Sequence, residues 1–190
     1  HSFADPARAL GEELAVLHDE LASAFGTADR SGDELADTML DRYRSAASAV
    51  PELAEYGEAV AQVFSSLRGQ RLATQRVHGD FHLGQALHRD AAEVGPAWVI
   101  IDFEGEPLKS LAERREFDSP VRDVAGALRS LDYARSAAAD PGSAFALEWT
   151  AEARRAFLDG YYQHRPAQLP ILRSYLLDKA IYEVVYEVRN

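Results

Sequence analysis

The chain has 190 residues with 20 basic and 31 acidic side chains, a formal charge of −11, which disfavours nucleic acid or an anionic membrane as a partner. It has no cysteine, which excludes disulfides, iron–sulfur sites, thiol catalysis and cysteine-type zinc sites and fits a cytoplasmic location. At 47% hydrophobic residues it can fill a core, yet no apolar run approaches the roughly 18 to 20 residues that span a bilayer. In chain order, Leu10, Leu14, Leu17 and Leu21 recur at spacings of three and four and predict an amphipathic helix that stops at Gly26. A second helix is expected from about Asp33 to Ala49, with Leu35, Met39, Leu40 and Tyr43 inward. A third runs from Glu52 to Leu67, behind Pro51 at its start. His18, on the first helix, reads as a packing or hydrogen-bonded histidine.

The middle of the chain changes character. Residues 76–85, from Arg76 to Gln85, mix glycine with polar side chains and show no helical period. A β-hairpin is expected next, with Gln85 to His88 as one strand, Asp90 to Pro96 as the loop and Ala97 to Phe103 as the second strand. Leu108 to Ser119 reads as irregular, and Arg114-Arg115 as a solvated turn. Helices return over Val121–Ala138, Glu148–Tyr162 and Pro170–Arg189, with Val124, Leu128 and Leu131 inward on the first of these and Tyr161-Tyr162 as packing residues. The layout is mainly α with one small β-hairpin.

A hairpin folds its ends onto each other, so Asp80 and Gln85 at one end face Asp102 at the other. Two carboxylates and an amide oxygen form a hard oxygen set suited to Mg²⁺, which takes few protein ligands and lets phosphates and water complete its octahedron. No Walker-type loop, zinc cluster or nucleophile elbow accompanies them.

The pair of stretches His78-Gly79-Asp80-Phe81-His82-Leu83-Gly84-Gln85 and Ile101-Asp102-Phe103-Glu104-Gly105-Glu106-Pro107 resembles the catalytic loop and metal motif of the protein-kinase-like superfamily. The His-Gly-Asp form is similar to its aminoglycoside-phosphotransferase-like branch. Within that branch it resembles the actinobacterial maltokinases, as do Ser119 to Gly126 and the Tyr182 to Asn190 terminus. Related glucosamine kinases share the frame. The resemblance implies a kinase-like C-terminal lobe without its N-terminal lobe: helical over 1–70, the catalytic loop and metal-motif hairpin over 76–107, and helical over 120–190.

It also implies roles. Asp80 would take the proton of the attacking hydroxyl, and Gln85 and Asp102 would hold Mg²⁺ across the phosphates of ATP. His78 would brace the loop under Phe103, and Asp123 would tie down the loop backbone. Glu104 would stand behind the metal or at a second one. His82 and the helix face carrying Tyr182, Glu183, Tyr186, Glu187 and Asn190, with Arg189 near it, would hold sugar. The implied reaction converts maltose to maltose 1-phosphate, with trehalose synthase as an associated enzyme. A glucosamine or other sugar kinase is the alternative, and a non-catalytic sugar-binding module a further one. Among 18 arginines stand only two lysines, Lys109 and Lys179. Both follow the metal motif, the wrong place for the phosphate-anchoring lysine of an N-terminal lobe.

Overall fold

The computed structural model describes residues 3–89, 97–103 and 115–189. Six α-helices dominate: α1 (Ala4–Phe25), α2 (Gly32–Ala49), α3 (Gly57–Ser65), α4 (Val121–Ser136), α5 (Ala144–Tyr161) and α6 (Leu169–Arg189). Four strands make two antiparallel pairs: β1 (Thr27–Ser31) with β2 (Arg71–Gln75), and β3 (Ala86–His88) with β4 (Trp98–Ile100). The expectation of a mainly helical chain with a small hairpin is met.

Helix α1 ends at Gly26, whose φ of 82° suits a residue without Cβ. Helix α2 starts on Ser31, whose hydroxyl accepts from the Asp33 N–H at 3.2 Å and satisfies one of the helix's unpaired amides. Leu35, Met39 and Tyr43 are buried on it as expected, while Leu40 is partly covered. The same capping device opens α5, where Ser143 accepts from the Ala146 N–H at 3.2 Å. That helix therefore begins at Ala144, earlier than its apolar period suggests.

Three expectations need correction. Residues 52–67 do not form one helix: a 3₁₀ segment, Pro51–Tyr56, turns into α3 at Gly57. The hairpin strand β3 starts at Ala86, because Leu83–Gln85 closes a 3₁₀ turn. The β1–β2 pair was not foreseen. Strand β1 is short and largely exposed, Thr-Ala-Asp-Arg-Ser, and carries no alternating apolar signal. In β2 the signal is present but slight, Leu72 and Thr74 turning inward between exposed Arg71 and Ala73. The expected hairpin loop, Asp90 to Pro96, lies outside the described residues, as does Leu108 to Arg114.

A single apolar cluster joins the helices, with Leu10 and Leu14 of α1, Met39 of α2, Phe64 of α3, Leu128 and Leu131 of α4 and Phe157 of α5 fully buried. The hairpin is fastened to this scaffold by Trp98, buried against Phe3, whose indole N–H donates to the Pro6 carbonyl at 2.8 Å. Helices α1 and α5 approach backbone to backbone. A Cβ at Gly11 would lie 2.2 Å from the Phe157 carbonyl oxygen, and one at Gly160 would lie 2.2 Å from that of Arg8.

This contact sets the sign of a substitution. In an exposed helix, glycine to alanine stabilises by about 1 kcal/mol. Gly160→Ala should instead destabilise by roughly 1–3 kcal/mol, the usual cost of overpacking. Urea denaturation of the two proteins checks this, and a gain in midpoint would contradict it.

Candidate active site

The segment between β2 and β3 bears His78-Gly79-Asp80 and is pinned from below by one buried carboxylate. Asp123, 1% exposed on the first turn of α4, accepts the backbone N–H of His78 at 2.8 Å and that of Gly79 at 2.9 Å. His18 Nε2 lies 2.9 Å from Asp123 Oδ2. An ionised carboxylate only accepts, so the proton sits on Nε2 and donates. His18 Nδ1 is 2.8 Å from the Tyr161 hydroxyl, and Arg165 lies over the Tyr161 ring with its Nη1 3.4 Å from that hydroxyl. The chain Arg165–Tyr161–His18–Asp123 thus runs from the surface to the loop.

Burial alone would raise the Asp123 pKa. The hydrogen bonds from His18 and from the Gly79 N–H outweigh it and hold the carboxyl below its ordinary value. Burial pushes the Tyr161 hydroxyl well above the usual tyrosine range, so it remains a neutral donor.

Two further contacts shape the loop. Arg122 Nε donates to the Gly79 carbonyl at 3.2 Å, while its Nη1 pairs with Asp118 at 2.9 Å. Helix α4 also touches the loop at Gly126, where a Cβ would fall 2.2 Å from the Phe81 carbonyl oxygen. Phe81 itself is fully buried and anchors the residue next to Asp80.

His78 connects the loop to the far end of the hairpin. Its Nε2 lies 2.8 Å from the Ile101 carbonyl, which can only accept, so Nε2 carries the proton. Nδ1 then accepts the Asp80 N–H at 3.4 Å. The ring packs against Phe103, centroids 5.1 Å apart. On the other side of this junction Gln85 Nε2 donates to Asp102 Oδ2 at 2.8 Å, and the Ile101 N–H donates to the Gln85 carbonyl at 2.9 Å. Asp102 has a φ of 65° and is the one non-glycine residue with positive φ among the described residues. Aspartate tolerates this region better than most side chains, and unusual backbone of this kind concentrates where a side chain must be aimed.

The Gln85–Asp102 pair fits a hard divalent cation. Both groups are accessible, and turning the Gln85 amide end for end would offer an oxygen beside the carboxylate. Among the described residues no group of three or more histidine, cysteine, aspartate or glutamate side chains gathers into a cage. An ion here would draw the rest of its shell from phosphate and water, as Mg²⁺ commonly does.

Asp80 opens into a cleft of about 750 Å³ between α2, the loop and α6, lined among others by Asp41, Arg42, Arg122, Asp178, Lys179 and Tyr182. Lys179 Nζ stands 4.0 Å from Asp80 Oδ1. Asp178 pairs with Arg42 at 2.8 Å, and burial raises its pKa against the pull of that arginine.

Residues 4–166 match the model of the phosphotransferase enzyme family, APH. The chain belongs to this family. Among curated proteins it is similar to a glucosamine kinase of Streptacidiphilus jiangxiensis, 31% identical over 172 residues that make up 82% of this chain and 37% of that protein. Among solved structures, glucosamine kinase in complex with glucosamine, ADP and inorganic phosphate superposes with a TM-score of 0.84 at 25% identity, covering 97% of this chain and 50% of that one. A second crystal form of glucosamine kinase gives 0.83 at 26% identity, covering 97% and 48%. The chain therefore spans half or less of the length of these relatives.

Within this chain the expected site residues distribute unevenly. Gln85 and Asp102 pair at the hairpin ends, His78 ties the Asp80 amide to the Ile101 carbonyl, and Asp123 holds the loop from below. His82 instead folds back as a cap, its Nδ1 accepting the Gly84 N–H at 3.1 Å. The shared face expected on α6 splits. Tyr182 lines the cleft, but Glu183 turns to α4 and forms an ion pair with Arg129, and is not among the residues that line the cleft. Adjacent helical residues diverge by about 100°, so Tyr182 and Glu183 serve different neighbours. Tyr186 stacks on Tyr182 with centroids 6.4 Å apart and is half exposed, and Glu187 is exposed. Glu104, Asn190 and the Arg189 side chain lie outside the described residues. Sequence reasoning did not single out Arg122 or the Tyr161–His18 link.

Asp123→Asn should cost roughly 3–5 kcal/mol, the range for removing one member of a buried ionic set. The pH dependence has a fixed sign. The folded pKa lies below the unfolded value, so the carboxylate's contribution is full above the unfolded aspartate range and is lost as pH falls through the folded pKa. Denaturant titrations at a series of pH values should therefore show the gap between wild type and Asp123→Asn closing on acidification below about pH 4. A gap that widens there would contradict the assignment.

Proposed function

We propose that this chain forms the acceptor-binding lobe of an ATP-dependent sugar kinase, acting within a longer protein, with an amino sugar such as glucosamine as its acceptor. The observation that carries the reading is the imidazole of His78, which joins the backbone of Asp80, a residue of the open cleft, to Ile101, next to Asp102 and its partner Gln85. Family membership and the likeness to glucosamine kinases support it and favour an amino sugar over the maltose expected from the motifs. The close motif resemblance keeps maltose as the second acceptor to test. Nothing supports trehalose synthase as a partner. No helix among the described residues is long and apolar enough to cross a membrane.

In this reading the acceptor hydroxyl lies in the cleft within hydrogen-bond reach of Asp80, which takes its proton as the oxygen attacks phosphorus. Asp102 and Gln85 would hold Mg²⁺, which when bound would supply charge neutralisation at the ATP phosphates. Asp123, His18 and Arg122 keep the Asp80 backbone in register, so that no loop reorganisation accompanies transfer. Positioning of this kind supplies a large part of the rate of phosphoryl transfer.

The test is ADP release by the full-length protein with Mg²⁺ and ATP against a panel containing glucosamine, glucose and maltose. Glucosamine should give the highest kcat/KM, whereas turnover of maltose alone would restore the first expectation. Asp80→Asn should lower kcat by about 10²- to 10⁴-fold with the KM for ATP nearly unchanged. Asp102→Asn should raise the Mg²⁺ concentration needed for half-maximal rate. Wild-type turnover with an unaltered Mg²⁺ requirement in Asp102→Asn would show the metal assignment to be wrong.

A further inference from the structure

The lysine on α6 has no place in the scheme above. Lys179 is one of two lysines in the chain, and it points into the cleft rather than to solvent. Its ammonium lies 4.0 Å from Asp80 Oδ1, with both side chains a little under one-third exposed. Among the described residues this is its only ion pair, and it makes no hydrogen bond. The ammonium lies over α4 at Gly126, where a Cβ would sit 3.6 Å from Nζ, an ordinary contact distance. Arg122 and Arg42, the other cations of the cleft, are committed to Asp118 and the Gly79 carbonyl, and to Asp178.

We propose that Lys179 is a catalytic residue that contacts the acceptor oxygen and the phosphoryl group as it transfers; this rests on the sugar-kinase reading. An acceptor oxygen within hydrogen-bond distance of Asp80 stands within reach of an ammonium 4.0 Å from the same carboxylate. Three N–H donors are available there, since none is spent on Asp80. In the step, the hydroxyl proton passes to Asp80. The new O–P bond forms while the bond from the γ-phosphorus to the bridging oxygen breaks, and ADP leaves with that electron pair. Asp80 loses its negative charge as the phosphoryl oxygens arrive beside it. Lys179 therefore faces a carboxylate before transfer and a phosphoryl group after it, and its interaction strengthens along the reaction, which is what accelerates a chemical step. A lysine suits this position because its compact charge on a flexible stem can follow that shift.

The experiment compares Lys179→Met and Lys179→Arg in the full-length protein, with glucosamine and Mg²⁺–ATP. Loss of the ammonium should lower kcat by about 10²- to 10³-fold, as removal of a preorganised donor does. The KM for ATP and the melting temperature should stay close to wild type, and Lys179→Arg should recover part of the loss. If Lys179→Met lowers the melting temperature appreciably, Lys179→Gln gives the same comparison with a polar side chain. A Met or Gln variant with kcat within a few-fold of wild type overturns the proposal, as does a rise in acceptor KM at unchanged kcat. In either case wild-type turnover and the Asp80→Asn loss leave the sugar-kinase reading intact. A wild-type protein that phosphorylates no sugar overturns that reading and this one together.

Discussion

The fold is organised around a charge that cannot be left alone. A carboxylate as deeply buried as that of Asp123 is costly unless every lone pair is used. It has three partners from two places: a histidine on the first helix, and two consecutive backbone amides of the His-Gly-Asp loop. Meeting that requirement draws α1, α4 and the loop to one point. The loop backbone is therefore fixed by a side chain rather than by a sheet ladder, which leaves the Asp80 side chain free to face the cleft. His18 is held in turn by Tyr161 from α5 and by its own carbonyl, which accepts from Gln75 of β2. The same point thus also fixes where β2 ends and the loop begins.

The second organising element is the junction of the hairpin ends. His78 reads the Ile101 carbonyl on one side and the Asp80 amide on the other. Because each nitrogen of one neutral ring has a different task, the tautomer couples the loop to the strand that carries Asp102. Asp80 and Asp102 are in this way linked through a single imidazole packed between Phe81 and Phe103.

Much of this was legible in the sequence. Helical periods located α1, α2, α4, α5 and α6 to within a few residues, and the spacing of the two acidic motifs around a hairpin brought Gln85 and Asp102 together. What escaped notice depends on long-range or weak signals. The His18–Tyr161 contact joins residues 143 apart, and nothing local distinguishes either from a packing residue. Strand β1 is nearly all polar, so only pairing with β2 makes it a strand. Glu183 shares a helix with Tyr182, but the arginine that claims it belongs to α4, and periodicity is blind to what stands opposite. The cleft wall itself is built from α2 and α6, where residues far apart in the chain meet.

The glycine contacts between α1 and α5 bear on how this lobe deforms. Where backbones touch directly, no side-chain torsions lie between them to absorb a push. Trp98 fastens the hairpin to the start of α1, so α1, α5 and the hairpin respond to a load as one stiff frame. The opposite wall is built differently. There α2 and α6 are joined through long side chains, such as Arg42 to Asp178, whose rotamers change within picoseconds to nanoseconds at exposed positions. Compliance is thus concentrated on the α2–α6 side of the cleft. A molecule entering the cleft can be met there by side-chain adjustment, without disturbing the frame that holds the loop.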